Sequence, residues 1–238
     1  MNNTELSIQI SLGGFSFSLH TYDSAPQLGA VSSRMELYAS TIDTHDLSII
    51  AQSVYADPVD RVVVYCANDK VTVIPREVYD PQCAKLYLDA LNLCALGDRV
   101  MTTAPPSGDQ VIVWAFDGAM ADYVEHLYPH TQWSHPLGEL IDRGLARNQG
   151  AAIDVMLLGG MANIAIFDTQ SRLYAARSVR YNTVEDLLYF VHKMAIYDPH
   201  HTSVLTLYGE VTEDMQAVFG QYYPNLSVLA DPLFLVRL

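Results

Sequence analysis

Two stretches of this sequence share one pattern: Leu6-Ser-Ile-Gln-Ile-Ser-Leu-Gly13-Gly14-Phe-Ser-Phe-Ser-Leu19 near the start, and Ile153-Asp-Val-Met-Leu-Leu-Gly159-Gly160-Met-Ala-Asn-Ile-Ala-Ile-Phe167 after the middle. In each, two adjacent glycines are flanked by β-branched, aromatic or alternating residues. Paired glycines accept the positive φ angles of a tight hairpin, so each stretch is predicted to form a strand, a Gly-Gly turn and a second strand. The repetition indicates that the chain contains one structural unit twice.

The composition predicts a folded, acidic protein. The chain has 238 residues, of which 50% are hydrophobic and 10% aromatic, which is ample for a buried core. Its 27 acidic residues against 13 basic ones give a formal net charge of −14, which repels phosphate backbones and anionic lipid surfaces. The densest basic stretch, Arg172, Arg177 and Arg180, alternates with apolar residues and fits the solvated face of a strand. We therefore expect no nucleic-acid partner.

The cysteines and the first residues of the chain bear on its compartment. Cys66, Cys83 and Cys94 show neither CxxC spacing nor a nearby histidine pattern, which favours burial in a reducing compartment over a zinc site or disulfides. The first residues lack the basic region and apolar stretch of a signal peptide. No apolar run approaches the ~20 residues that span a bilayer. The sequence predicts a cytoplasmic protein with no metal site and no direct membrane insertion.

The rest of the first half alternates strands and helices. A helix capped by Thr44 is predicted to follow the third strand, and Asp117 is predicted to cap a later helix. The predicted strands after the hairpin are 30–39, 61–66, 70–74, 99–103 and 110–116. One helix is expected to bury a single stripe formed by Cys83, Leu86, Tyr87, Ala90 and Leu91. A further helix carries apolar residues over 137–145, and the polar, glycine-containing segment 143–150 marks a boundary.

The second half has the same kinds of element. A third strand is predicted over 172–179 after its hairpin. Thr183-Val-Glu-Asp186 has the form of a capping box, which indicates that a helix begins there. A strand over 203–208, a helix capped by Thr212 and a strand over 226–229 complete the half. The order is therefore three strands, helix, strand, helix and strand.

This order resembles the actin-like ATPase (ribonuclease H-like) fold, an α/β class in which two lobes face each other across a nucleotide cleft. It is similar to the pilus-assembly proteins of the PilM kind and to the division protein FtsA, in which a small subdomain is inserted in the first lobe. A tighter resemblance is to a bacterial family of unknown function assigned to this fold. The motifs that carry it are Leu6-Ser-Ile-Gln-Ile-Ser, Gly14-Phe-Ser-Phe-Ser18, Val71-Thr-Val-Ile-Pro75, Tyr181-Asn-Thr-Val-Glu-Asp-Leu-Leu-Tyr189 and Leu207-Tyr-Gly-Glu210.

The resemblance implies a domain organisation. Residues 1–149 would form the first actin-like lobe, with the inserted subdomain at about 70–105. Residues 150–238 would form the second lobe. The expected fold is thus a duplicated ribonuclease H-like fold of two lobes with a small subdomain inserted in the first.

The nucleotide motifs of that class are degraded here. Active members place an Asp-x-Gly turn in the first hairpin of each lobe, where the aspartate organises Mg²⁺ and the glycine lets backbone N–H groups approach phosphate. In the first hairpin these positions hold Gln9 and Ser11, and in the second, aligned without gaps, Met156 and Leu158. A shift of two places recovers Asp154 but puts Met156 at the glycine. The Gly-Gly turn that packs on adenosine is reduced to Gly209 followed by an acid.

Other kinds of site are weaker still. A ribonuclease H-type nuclease needs converging carboxylates with one on the first strand, where Gln9 stands. Asp117 is explained as a helix cap and Asp168 as a turn residue. A metal site at 198–201 with His192 lacks a partner at typical ligand spacing. No Gly-x-Ser-x-Gly elbow is present to anchor a hydrolase triad.

The sequence therefore predicts a non-catalytic pseudo-ATPase, an actin-like scaffold that binds another protein and needs no cofactor. Resemblance to the PilM group implies that a peptide or the cytoplasmic tail of a membrane protein docks near the inserted subdomain, and homo-oligomers are a further expectation. The alternative is a divergent ATP-binding protein or ATPase using ATP and Mg²⁺. Its backbone contacts would come from Gly13, Gly14, Gly159, Gly160 and Gly209, and Asp154 would hold Mg²⁺ through water.

Overall fold

The structure is a computed structural model that describes residues 3–11, 14–22, 34–37, 60–106, 108–147, 150–196 and 203–229. These residues form two five-stranded sheets, one three-stranded sheet and five α-helices. The helix predicted after Thr44, the turn residue Gly13 and the histidines at 200 and 201 lie outside the described residues. Of the strand predicted over 30–39, the described part is Arg34–Leu37.

The first sheet has the order β3-β2-β1-β4-β8. Its first three strands run antiparallel, and β4 and β8 run parallel to β1. The predicted buried strand is confirmed, because every residue of β4 after Arg61 is buried. Gly14 pairs with Ser11 and so belongs to the second strand rather than to the turn. The strands are β1 (Asn3–Ser11), β2 (Gly14–Tyr22), β3 (Arg34–Leu37), β4 (Arg61–Cys66) and β8 (Gln132–Ser134).

The second sheet has the order β11-β10-β9-β12-β13, with the same strand directions as the first. All residues of β9 and β10 are buried. The glycines that join them have φ angles of 52° and 78°, so the predicted Gly159-Gly160 turn is confirmed. The strands are β9 (Ala152–Leu158), β10 (Met161–Phe167), β11 (Leu173–Arg180), β12 (Val204–Gly209) and β13 (Leu226–Leu229).

The two sheets correspond residue by residue. Ser11 pairs across its hairpin with Gly14, as Leu158 does with Met161. Two residues before these hairpin pairs, Gln9 of β1 lies beside Tyr65 of β4, and Met156 of β9 lies beside Tyr208 of β12. The alignment without gaps is therefore the one that the backbone follows, and Asp154 is the counterpart of Ser7.

The third sheet lies between β4 and β8 in the chain and has the order β5-β7-β6, all antiparallel. Its strands are β5 (Val71–Pro75), β6 (Asp98–Thr103) and β7 (Gln110–Asp117). Two single-turn 3₁₀ helices (Arg76–Val78 and Pro81–Cys83) precede helix α1 (Ala84–Asp89).

The buried stripe predicted for helix α1 is wrong. Its one buried residue is Leu88, whereas Leu86 is 61% exposed and Leu91 55% exposed. The helix ends at Asp89, and Asn92 already has a positive φ of 56°. Residues 83–91 therefore never share one continuous helical face, and this segment presents apolar side chains to solvent.

The four longer helices begin where the sequence predicts. Asp117 caps α2 by accepting from the Met120 N–H, and Thr183 and Asp186 form the predicted capping box of α4. Thr212 caps α5 through the Met215 N–H. The helices are α2 (Gly118–Leu127), α3 (Pro136–Arg147), α4 (Val184–Met194) and α5 (Glu213–Tyr222). Within the described ranges no helix is long and apolar enough to cross a membrane.

Helix α3 joins the two five-stranded sheets. It follows β8 of the first sheet but packs across β9, β10 and β11 of the second. At Gly144 the helix touches the ring of Phe167 so closely that a Cβ atom would overlap it. Residues of α3 and of both sheets share one buried apolar cluster, which includes Leu6, Ile8, Leu140, Met156 and Phe167. The last residue of this helix, Arg147, therefore lies against the second sheet, next to Asp154 of β9.

Candidate functional site

The site centres on Asp154, in the middle of strand β9. Its side chain has no exposure to solvent. Arg147, at the end of α3, places Nη2 2.7 Å from the Asp154 Oδ2 atom. The Tyr208 hydroxyl donates to Asp154 Oδ1 at 3.3 Å, and Arg147 Nη1 donates to that hydroxyl at 2.8 Å. Both carboxylate oxygens therefore have partners inside the protein.

Burial and charge act in opposite directions on these groups. Burial raises the pKa of the Asp154 carboxyl, and the charge and hydrogen bond of Arg147 oppose that rise. Burial alone would lower the pKa of Arg147, but the nearby Asp154 and Tyr208 more than offset it and the pKa is raised. The pKa of Tyr208 is raised by burial and by Asp154. The Arg143 guanidinium lies 5.2 Å from the centre of the Tyr208 ring, which adds a cation–π contact.

The Gly159-Gly160 turn is occupied by a side chain of this chain. The N–H of Gly159 donates to Oε2 of Glu210 at 2.8 Å. The N–H of Glu210 in turn donates to the carbonyl of Leu157 at 3.0 Å. A carboxylate thus takes the backbone donor that a phosphate would need at this hairpin.

Gly209 has a structural reason to be glycine. Its φ is +82°, and a Cβ atom there would lie 2.5 Å from the carbonyl oxygen of Leu157. An L-residue would therefore be strained and would collide with the backbone of β9. The close approach of the end of β12 to β9 accounts for this glycine without a ligand.

Apolar side chains stand at the two positions of the second Asp-x-Gly turn. Met156 is fully buried and Leu158 almost so, and both belong to the apolar cluster that also contains Leu6 and Ile8. At the corresponding positions of the first hairpin, Gln9 and Ser11 are half-buried. Neither hairpin has an aspartate at the position that organises the metal ion or a glycine at the position that faces the phosphate.

These residues do not fit Mg²⁺ and ATP at the second hairpin. The Asp154 carboxylate is paired with Arg147, and the Gly159 N–H already donates to Glu210. Gly209 is required by the close packing of β12 against β9. Gly160 has open space around its Cα, and Gly14 lies within β2. In the described part of the chain no three His, Cys, Asp or Glu side chains come together as metal ligands would.

Sequence reasoning missed Arg147 and Tyr208, the partners of Asp154. Arg147 stands at the end of a predicted helix, where a basic residue complements the helix dipole and needs no further explanation. Tyr208 stands at the end of the strand predicted over 203–208, where an aromatic residue is common and needs no further explanation. No spacing links these residues to Asp154, because they meet only when α3 crosses the second sheet.

A model of the family described as "Protein of unknown function (DUF3822)" matches residues 1–224. A crystal structure from Bacteroides thetaiotaomicron, described as a protein with actin-like ATPase fold and unknown function, is similar with a TM-score of 0.83 and 18% identity. The alignment covers 99% of this chain and 95% of that one. No curated protein matches.

Two further solved structures are similar at lower scores. The PilM–PilN type IV pilus biogenesis complex has a TM-score of 0.52 and 14% identity, over 96% of this chain and 88% of that one. The ethanolamine utilization protein EutJ from Carboxydothermus hydrogenoformans has a TM-score of 0.50 and 10% identity, over 97% and 86%. These similarities show the α/β actin-like ATPase fold, so the predicted fold class is confirmed at that level.

Proposed function

This chain belongs to the DUF3822 family, whose description carries no activity, and we propose that it is a non-catalytic actin-like scaffold that binds another protein. In this proposal residues 1–149 and 150–238 are two lobes of a duplicated fold, and the segment at about 70–105 is a subdomain inserted in the first. The protein acts in the cytoplasm and needs neither ATP nor Mg²⁺.

The observation that carries the proposal is the ion pair between Asp154 and Arg147. Asp154 is the acid that lies two residues before the second Asp-x-Gly position on β9, and its carboxylate is fully buried with a cation 2.7 Å away. For a metal ion to reach Asp154, the Arg147 guanidinium would have to leave the carboxylate, and breaking an ion pair whose acid is fully buried costs several kcal/mol. The site is thus built to hold the sheet and helix together.

Two further observations support binding of a protein. The apolar face of the α1 segment is exposed, with Leu86 and Leu91 more than half accessible. One structural neighbour, PilM, was solved in complex with PilN. A fold that is used there to hold a partner protein serves the same purpose here in our proposal.

The first test is thermal unfolding of the full-length protein with and without millimolar Mg-ATP. A ligand that binds only the folded state at a hundredfold excess over its Kd stabilises it by about 2.7 kcal/mol, so binding would raise Tm clearly. We expect no shift. A rise in Tm that disappears in Asp154→Asn would overturn the proposal in favour of the ATP-binding alternative.

The second test concerns the partner. The tagged protein is cross-linked in native extract, the captured protein is purified, and its affinity for this chain is measured with and without Mg-ATP. We expect a defined stoichiometry and an affinity that ATP does not change. A chain that is monomeric and captures no specific partner would contradict the scaffold.

A further inference from the structure

We draw no further inference here: the strongest candidate, the exposed apolar patch that Val78, Leu86, Leu91 and Leu96 form on the segment around helix α1, carries none, because nothing in the described part of the structure shows what covers it.

Discussion

The two five-stranded sheets have the same strand order, the same strand directions and the same register, yet they hold different chemistry at the same positions. Ser7 of the first sheet makes a 3.5 Å contact with Glu5. Its counterpart Asp154 carries a buried charge and needs a cation from helix α3. The first sheet holds its buried carboxylate at Glu5, which pairs with Arg61 at 3.1 Å, so the shared backbone does not determine which position carries the charge. Function therefore has to be argued from the side chains.

The ends of the central parallel strands differ in a second way. Cys66 ends β4 and Gly209 ends β12, at corresponding positions. After each, the next N–H donates to the neighbouring strand, from Ala67 to Ile10 and from Glu210 to Leu157. The first sheet accepts a side chain there and the second does not, because the carbonyl of Leu157 lies where a Cβ would be.

The largest effect is expected when the cation is removed from the second sheet. Arg147→Met leaves the Asp154 carboxylate buried without its partner, so the free energy of unfolding should fall by about 3–5 kcal/mol. Ser7→Ala at the corresponding position should cost about 1 kcal/mol or less, since it removes one long hydrogen bond. Urea denaturation monitored by circular dichroism measures both.

A double variant shows how much of the stability lost in Arg147→Met comes from the unpaired charge and how much from lost packing. Arg147→Met with Asp154→Asn removes both charges and should recover much of the loss, because no unpaired ion remains in the core. If Arg147→Met costs no more than Ser7→Ala, the ion pair contributes nothing and the contrast between the two sheets disappears.

A smaller effect is expected at the strand ends. Gly209→Ala forces an L-residue to φ +82° against the Leu157 carbonyl, and should cost about 2–3 kcal/mol. Cys66→Ala, the matched change in the first sheet, keeps its backbone unstrained and should cost about 1 kcal/mol. Thermal unfolding of both variants tests this, and equal shifts in Tm would show that the close approach at Gly209 is relieved at no cost.

The third prediction concerns a buried histidine that leads from the first sheet into α3. His135 is fully buried, its Nδ1 accepts from the Leu137 N–H at 3.1 Å, and its Nε2 lies 3.2 Å from the Asn68 carbonyl. These contacts require a neutral ring with its proton on Nε2. Burial, opposed by the Asn68 contact, lowers the pKa of His135 from 6.5 to about 3.

Because the unfolded ring binds a proton below about pH 6.5 and the folded ring does not until about pH 3, stability is lost as pH falls through this window. The slope approaches 1.4 kcal/mol per pH unit. Burial raises the pKa of the Glu139 and Asp154 carboxyls, so those groups act in the opposite sense.

Because other groups also titrate, the His135 contribution is measured as the difference in unfolding free energy between the wild type and a variant without the ring. His135→Asn keeps a cap for α3 and does not titrate, so the stability gap between the wild type and this variant should narrow by about 1 kcal/mol from pH 6.5 to 5.5. Urea titrations at the two pH values measure the gap. A constant gap would mean that the ring has the same pKa in the folded and unfolded states, and a gap that widens would mean that the folded ring is the more readily protonated.

Local patterns made much of this fold predictable. The Gly159-Gly160 turn, the apolar strand at 61–66 and the caps at Asp117, Thr183 and Thr212 depend on neighbours a few residues away. The stripe predicted on α1 failed for two reasons: the helix buries the face that carries Leu88 and leaves Leu86 exposed, and it ends before Leu91. Helical spacing in a sequence does not show where a helix ends or which of its faces is covered.

Less of the candidate site could be predicted from the sequence. Asp154 stood out as the acid nearest a lost motif, but its role depends on Arg147 and Tyr208, which reach it through tertiary packing. Arg177 and Arg180 are exposed as predicted, but they lie on opposite faces of β11 and Arg172 precedes the strand, so the three do not share one solvated face. The approach of β5 to β11 is a tertiary contact that no local pattern encodes.

Helix α3 also constrains the order in which the molecule is made. Its apolar side is covered by strands that follow it in the chain, and β11 is finished only at Arg180. At about 5–20 residues per second, the roughly 30 residues that separate the end of α3 from the end of β11 take about 2–6 s to synthesise. During that interval the growing chain contains helix α3 before all of the strands that cover its apolar face have been synthesised. All strands of the first sheet and helix α3 are therefore synthesised before β9, β10 and β11, the strands on which the helix packs.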